Sequence, residues 1–295
     1  MNWFYPAGSL KTDTTKTTVT PKIANWEYCG LDVFSFDQEQ NFKIELDHQE
    51  AVLISLSAQN FKVKVDGQEF TLAGRAGVFA QVSDWIYLPV NSKVELIGTT
   101  GEVALCTSKA SKAFPVKYVA AIDVPVEVRG SGKATRQVTN YATPGGFDQA
   151  DKIIVCEVLT PGGNLSSWPP HRHDGRAGCP TTNEEIYYFR IGKQNSAHGD
   201  PEGAGAFHVY TVDAVVDQTV TVKDEDVYLV PEGYHGPSTA YPEYPMYFLN
   251  VMAGPSEDRV MSYCDDPTHH WIRASWESQT QDPRCPMTSA TERVN

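Results

Sequence analysis

The sequence predicts an all-β sandwich or barrel, with an internal echo that fits two barrel modules. Short runs of alternating or continuous apolar residues recur along the whole chain, with Gly, Pro, Asn and Asp between them. No segment of convincing length repeats with helical period. DWIYLPVNSK (84–93) resembles DVYLVPEGYH (226–235) when Pro89 and Pro231 are aligned, as two copies of one strand ending in a proline turn would. Lys93 then stands where the second copy has His235, so the first module lacks what that histidine supplies.

In order, the strand signals are AVLISLSA (51–58), FKVKVDGQEFTL (61–72), WIYLPV (85–90), KVELIG (93–98) and EVALCTS (102–108) in the first half. The second half carries DKIIVCEVLT (151–160), EIYYFRI (185–191), FHVYTV (207–212), QTVTVKDEDVYLVP (218–231) and PMYFLNVMAG (245–254). Within 61–72, two alternating runs flank Asp66-Gly67, the chemistry of a two-residue hairpin turn. These signals set expected modules at 1–115 and 116–277, followed by an irregular tail at 278–295 that is loose or packs as an extended arm.

The composition is that of an ordinary soluble globular protein, 41% hydrophobic and 21% charged over 295 residues. No run of eighteen apolar residues exists to span a membrane. The N-terminus lacks a basic start followed by an apolar stretch, so the cytoplasm is the expected compartment. Six cysteines without a CxxC pair read as free thiols in a reducing compartment; Cys179 stands out because it lies near the histidines discussed below. The net charge of −13 is lopsided, with 14 basic and 15 acidic residues in 1–147 against 10 and 22 in 148–295. Such a surface repels nucleic acid and anionic lipid. A small anionic ligand of the second half therefore needs a cation and a few placed arginines.

Seven of the eight histidines follow residue 170, which confines any multi-histidine metal site to the second module. In WPPHRHD, His171 and His173 share one strand face while Arg172 points away. Glu185 opens EIYYFRI, where alternation puts Glu185, Tyr187 and Phe189 on one face. His235 follows the turn PEGYH. Three neutral imidazoles and one carboxylate suit Zn²⁺ most, with Mn²⁺ or Fe²⁺ open, and leave a coordination position free. His198 and His208 have no such company and read as solvated.

This order resembles the cupin superfamily: Gly162-Gly163, then His171 and His173, Glu185, Gly192, Pro231, Gly233 and His235. The gap between His173 and Glu185 is longer than in the usual cupin, and that between Gly233 and His235 is shorter. Both departures resemble the 5-deoxy-glucuronate isomerase family, a relative of the deoxyuronate isomerases. Carrying segments are RGSGKATRQVTN (129–140), FDQADKIIVCEVLTPGGNLSSWPPHRHD (147–174), EEIYYFRI (184–191), DVYLVPEGYHGP (226–237), YPMYFLNVMAGP (244–255) and DDPTHHWI (265–272). The resemblance implies a bicupin, two jelly-roll-like β-barrel modules of which the first lacks metal ligands. It implies His171, His173, Glu185 and His235 as ligands, Glu185 being chosen over Glu184 because it directly precedes the Ile-Tyr strand.

The implied reaction turns 5-deoxy-D-glucuronate into 5-dehydro-2-deoxy-D-gluconate in myo-inositol catabolism. It proceeds by proton transfer through a metal-stabilised enediolate, or by a hydride shift. Candidates for the proton-transfer group are Glu184, Glu157, Tyr187 and His269, with Asp174 and Tyr247 also open. A guanidinium fork is expected for the substrate carboxylate, Arg176 first and Arg259 next. The insertion DGRAGCPTTNE (174–184) is a candidate lid. The partner is a small sugar acid; a homo-oligomer stays open. The competing readings are another metal-dependent cupin enzyme, such as a deoxyuronate isomerase or dioxygenase, and a non-catalytic sugar-acid-binding cupin.

Overall fold

The computed structural model describes residues 2–176 and 178–294. All strand pairings among them are antiparallel, and the two α-helices, Pro21–Ala24 and Ile272–Ser275, are one turn each. Four sheets form two facing pairs. In the first pair, a six-stranded sheet runs Lys117–Val119, Trp85–Leu88, Gln49–Ser55, Gly101–Lys109, Cys29–Phe36, Thr17–Val19. It packs on a four-stranded sheet of Gln40–Glu45, Lys93–Gly98, Gln59–Val65 and Gln68–Gly74. In the second pair, a seven-stranded sheet runs Phe4–Tyr5, Val227–Val230, Glu184–Ile191, Met246–Ala253, Ile154–Thr160, Arg136–Asn140, Val126–Arg129. It faces a six-stranded sheet of Asp217–Lys223, Ala204–Tyr210, Tyr234–Ala240, His171–Arg172 and Cys264–Asp265, with Leu165–Ser166 added alongside Tyr234–Ala240.

Side-chain alternation explains why several strands read as continuous apolar runs. On Gln49–Ser55, Ala51 and Leu53 point between the sheets of the first pair while Val52 and Ile54 turn outward; on Met246–Ala253, Met246, Phe248 and Met252 point between the sheets of the second while Tyr247, Leu249 and Val251 turn outward. The outward sets of the two larger sheets meet. Leu31, Val33, Val52, Ile54 and Tyr87 from one side and Val155, Ile186, Tyr188, Leu249 and Val251 from the other form a third core between the sheet pairs. Each such side chain contributes roughly 1.5–3 kcal/mol on burial, so this seam holds the two sheet pairs together as one body. Strands buried on both faces lose their polar alternation, which is the pattern seen in the sequence.

The Asp66-Gly67 turn forms as expected. Val65 pairs with Gln68, and φ is +46° and +85° at the two turn residues, the left-handed pair of a tight hairpin. Two expectations change. The run 218–231 is two strands in different sheets, broken at Glu225, whose φ is +71°. Phe4–Tyr5 crosses over to edge the seven-stranded sheet beside Val227–Val230, and Lys117–Val119 still belongs to the first sheet pair, so the 115/116 boundary does not follow the sheets. Residues 278–294 pack as an extended arm. Gln137 holds it by accepting from the Met287 and Thr288 N–H groups and donating to Thr288 Oγ1 at 2.9 Å, and Met287 enters the core between the sheet pairs.

Candidate metal centre

The HxH segment runs along the strand Tyr234–Ala240, where His171 pairs with His235 in register. His173 follows the two-residue strand directly. Glu185 arrives from the facing seven-stranded sheet, on the inward face it shares with Tyr187 and Phe189. Two sheets thus deliver the expected side chains to the same end of the second sheet pair. Two glycines make the close approach. Gly233 has φ +87°, and Gly236 has φ +109° with an added Cβ placed 1.8 Å from Ser167 O. Gly236→Ala is expected to cost about 2 kcal/mol or more, through strain and displacement of the neighbouring His235. Urea unfolding and metal analysis of the variant check this.

Glu185 Oε2 lies 3.0 Å from His173 Nε2 and 3.1 Å from His235 Nε2. Donor atoms of His173, Glu185 and His235 all fall within 4.8 Å of one another. His171 borders this triad, its ring centroid 4.5 Å from that of His235 and 6.4 Å from that of His173. All three imidazoles place Nδ1 against a backbone carbonyl: Pro169 O at 3.3 Å, Asn183 O at 2.9 Å and Gly233 O at 3.3 Å. An Nδ1–H donated to each carbonyl fixes the tautomer that leaves Nε2 as a lone-pair donor. His235 Nε2 is fully buried and, despite its distance to Glu185, makes no hydrogen bond. A buried polar atom without a partner is costly. A cation between the imidazoles and the carboxylate removes that cost, so the donor set fits a divalent metal ion.

Electrostatics agree. Burial, reinforced by His235 and His173, holds the His171 imidazole well below its usual range, so it is neutral, the ligating form. Burial opposes charge on His173 too, but Glu185 outweighs it and raises that imidazole. Burial alone would raise Glu185; His235 and His173 instead hold its carboxyl far below the usual range.

Of the proposed proton-transfer groups, only Tyr187 lies in the cavity beside the triad, with its hydroxyl 3.3 Å from Ser167 Oγ. The other five lie elsewhere. Glu184 points to the opposite face and accepts from the backbone N–H groups of Glu27, Tyr28 and Cys29. Glu157 is wholly buried between the sheet pairs, forked onto Arg75 at 3.0 and 2.8 Å. Tyr247 lies beside that pair, its ring 5.7 Å from the Arg75 guanidinium. His269 lies behind Trp168, ring centroids 5.5 Å apart and tilted, in a surface groove rather than the cavity. Asp174 is engaged by Arg172 and by Gly233 N–H.

Neither expected arginine reaches the cavity. Arg176 pairs with Glu232 on the half-exposed outside, and Arg259 is spent on the carbonyls of Ala142, Ile153 and Phe147. The arginines that do line it are Arg129, Arg136 and Arg273. Arg129 and Arg136 come from the first half of the chain, and Arg273 lies nearly a hundred residues beyond the insertion, so neither the charge of the second half nor nearness to His173 points to them. The cysteines also need correcting: Cys179 and Cys264 form a disulfide, Cα atoms 5.7 Å apart, while Cys29, Cys106, Cys156 and Cys285 are free. The disulfide ties the insertion after His173 to the strand beside His171. Of the remaining histidines, His198 is exposed, and His208 pairs with Asp217 at 2.8 Å.

Similarity to known proteins gives the context. A profile described as the KduI/IolB family matches residues 3–272. A 5-deoxy-glucuronate isomerase of Geobacillus kaustophilus is 37% identical over 92% of this chain and 95% of its own length. One from Bacillus subtilis subsp. natto is 34% identical over 86% and 91%. The crystal structure of an IolB-like protein from Salmonella typhimurium superposes with TM-score 0.82 at 31% identity, covering 92% of this chain and 99% of that one. An oxalate decarboxylase superposes at TM-score 0.60 with 11% identity over 90% of this chain and 79% of that one, a likeness of cupin fold alone. With most of its length matched by that profile and by these relatives, the chain belongs to the KduI/IolB family.

Proposed function

We propose that this protein is a 5-deoxy-glucuronate isomerase, an aldose–ketose isomerase that forms 5-dehydro-2-deoxy-D-gluconate in inositol catabolism in the cytoplasm. The observation that carries the reading is the 37% identity, over nearly the whole of both chains, to an isomerase of that name. The buried His/Glu cluster facing a cavity supports it. In this reading the fold is a bicupin, with the metal centre only in the second module.

His171, His173, Glu185 and His235 would hold one divalent ion, Zn²⁺ by preference, with Mn²⁺ or Fe²⁺ as alternatives. Bound there, the ion would supply Lewis-acid stabilisation of the negative charge that develops as the C–H beside the carbonyl ionises. The apolar wall of Val158, Phe248 and Met252 limits water around the reacting carbons. Burial, then the nearby Glu185 charge, pushes the Tyr187 phenol well above its usual range, so it stays protonated. Tyr187 is therefore suited to hold a proton at its Oη against a substrate oxygen, and unsuited to act as a base.

The test compares metal-stripped protein with protein reloaded with Zn²⁺, Mn²⁺ or Fe²⁺, without oxygen, on 5-deoxy-glucuronate in D₂O. The expected result is metal-dependent ketose formation with one solvent deuteron retained at the former aldehyde carbon. Deuterium-free product points to a hydride shift. Absence of turnover with every metal contradicts the isomerase reading.

A further inference from the structure

Arg129 and Arg136 stand directly opposite one another as the terminal pair of strands Val126–Arg129 and Arg136–Asn140. Like charges in that position destabilise a ladder. Both line the cavity of the His/Glu cluster, together with Arg273. Two of the three guanidiniums are neutralised. Arg129 Nε donates to Glu127 Oε2 at 2.8 Å, and Arg273 is forked onto Asp265.

Arg136 has no carboxylate partner among the described residues. Its Nη1 donates to Ala134 O at 3.1 Å, and its guanidinium lies 5.7 Å above the Trp276 ring. The turn is shaped around it: Gly130 has φ +75°, and a Cβ there would meet Ala134 O at 2.2 Å and Arg136 Nη1 at 2.6 Å. Burial, with added repulsion from Arg129 and Arg273, draws the Arg136 pKa down to about 10. Three guanidiniums around one cavity, of which only two have carboxylate partners among the described residues, leave room for a further anion at the third.

We infer that Arg136 anchors the carboxylate of a sugar acid, backed by Arg129 and Arg273, and so directs the opposite, aldehyde end toward His171, His173, Glu185 and His235. This rests on reading the cavity as the isomerase's substrate site. An acyclic uronate carries its carboxylate and its aldehyde at opposite ends, and the cavity offers a cationic wall and a metal-ligating wall to match. Arg136 thereby becomes the residue that selects sugar acids over neutral sugars.

The test uses the metal-loaded full chain and the variants Arg136→Met and Arg136→Lys. Two substrates are compared, 5-deoxy-glucuronate and 5-deoxyglucose, which has a hydroxymethyl group in place of the carboxylate. In Arg136→Met, kcat/KM for the acid should fall roughly 10- to 100-fold, chiefly through KM, while that for the neutral sugar changes little. Arg136→Lys, which keeps the charge but loses the fork, should fall between. Bound metal should be unchanged, and Tm should hold or rise, since an uncompensated charge has been removed. A fall in Tm with equal losses on both substrates assigns Arg136 a structural role and overturns the inference. So does an unchanged preference for the acid.

A calorimetric arm with D-glucuronate, a stable uronate probe, keeps this separate from the isomerase reading. If the wild type turns over neither substrate yet binds glucuronate, and Arg136→Met loses that binding, the anion subsite stands and only the reaction falls. Equal binding by wild type and Arg136→Met overturns the subsite.

Discussion

Glu185→Gln is expected to empty the metal centre and to lower kcat/KM by on the order of 10³, the scale of losing a preorganised electrostatic stabiliser of a developing oxyanion. Glu185 is the only carboxylate of the clustered donors, and it bridges His173 and His235 at 3.0 and 3.1 Å. The amide keeps the shape but removes the negative charge. Three neutral imidazoles then have to compensate a dication alone in a buried site, where unbalanced charge is expensive. Metal analysis of the purified variant should show less than about a tenth of the wild-type content at micromolar metal. Circular dichroism should show the fold retained, because the third core and the first barrel do not involve this residue. Glu184→Gln is the control. Its carboxylate caps the backbone of Glu27–Cys29 on the other face of the same strand, so stability should drop while metal content persists.

The second large effect is on stability. Glu157→Gln should cost about 3–5 kcal/mol, the scale for removing one partner of a buried ion pair. Arg75 and Glu157 are both fully buried, forked together in the seam between the sheet pairs, and Tyr141 donates to the same carboxylate at 2.9 Å. Neutralising Glu157 strands a guanidinium whose remaining partners are the carbonyls of Ser55 and Gln81. The double variant Arg75→Met with Glu157→Leu should recover most of the loss, since hydrophobic replacement of a whole buried pair is often neutral or better. Chemical denaturation of the two single variants and the double one gives the coupling directly. The prediction also separates a structural from a catalytic Glu157. If Glu157 were the base, Glu157→Gln would lose kcat with its stability intact. The expected outcome is the reverse: lowered stability, with kcat of the folded fraction within about threefold of wild type, as for a group remote from the reacting atoms.

These outcomes follow the line between what local sequence reports and what only the fold reports. The HxH pair, Glu185 and the Asp66-Gly67 turn were legible because each depends on a short-range rule: alternation on a strand, or φ > 0 in a two-residue turn. Cys29–Phe36 was passed over because Gly30, Asp32 and Ser35 interrupt an alternation that is nonetheless buried along most of its length. Arg136–Asn140 was passed over because RQVTN reads as polar, although Gln137, Thr139 and Asn140 are buried and Gln137 holds the C-terminal arm. The run 218–231 concealed a sheet change because its turn is made of Asp224 and Glu225, not of Gly or Pro.

Long-range pairing was the main loss. Glu157 looked like a base on the strand before HxH, and its true partner, Arg75, lies in the other half of the chain. Cys179 and Cys264 are 85 residues apart, with no spacing rule to join them. The arginine triad did leave a trace in RGSGKATR, two arginines flanking a glycine-bearing turn, which is how cross-strand neighbours appear in one dimension.

One cation is expected among His171, His173, Glu185 and His235. Crystals grown with Mn²⁺ or Zn²⁺ and measured on both sides of the metal's absorption edge test it directly. The expected result is a single strong anomalous peak within about 2.0–2.3 Å of the three Nε2 atoms and a Glu185 oxygen. A peak at another site, or an ordered cluster in saturating metal with no peak at all, would contradict it.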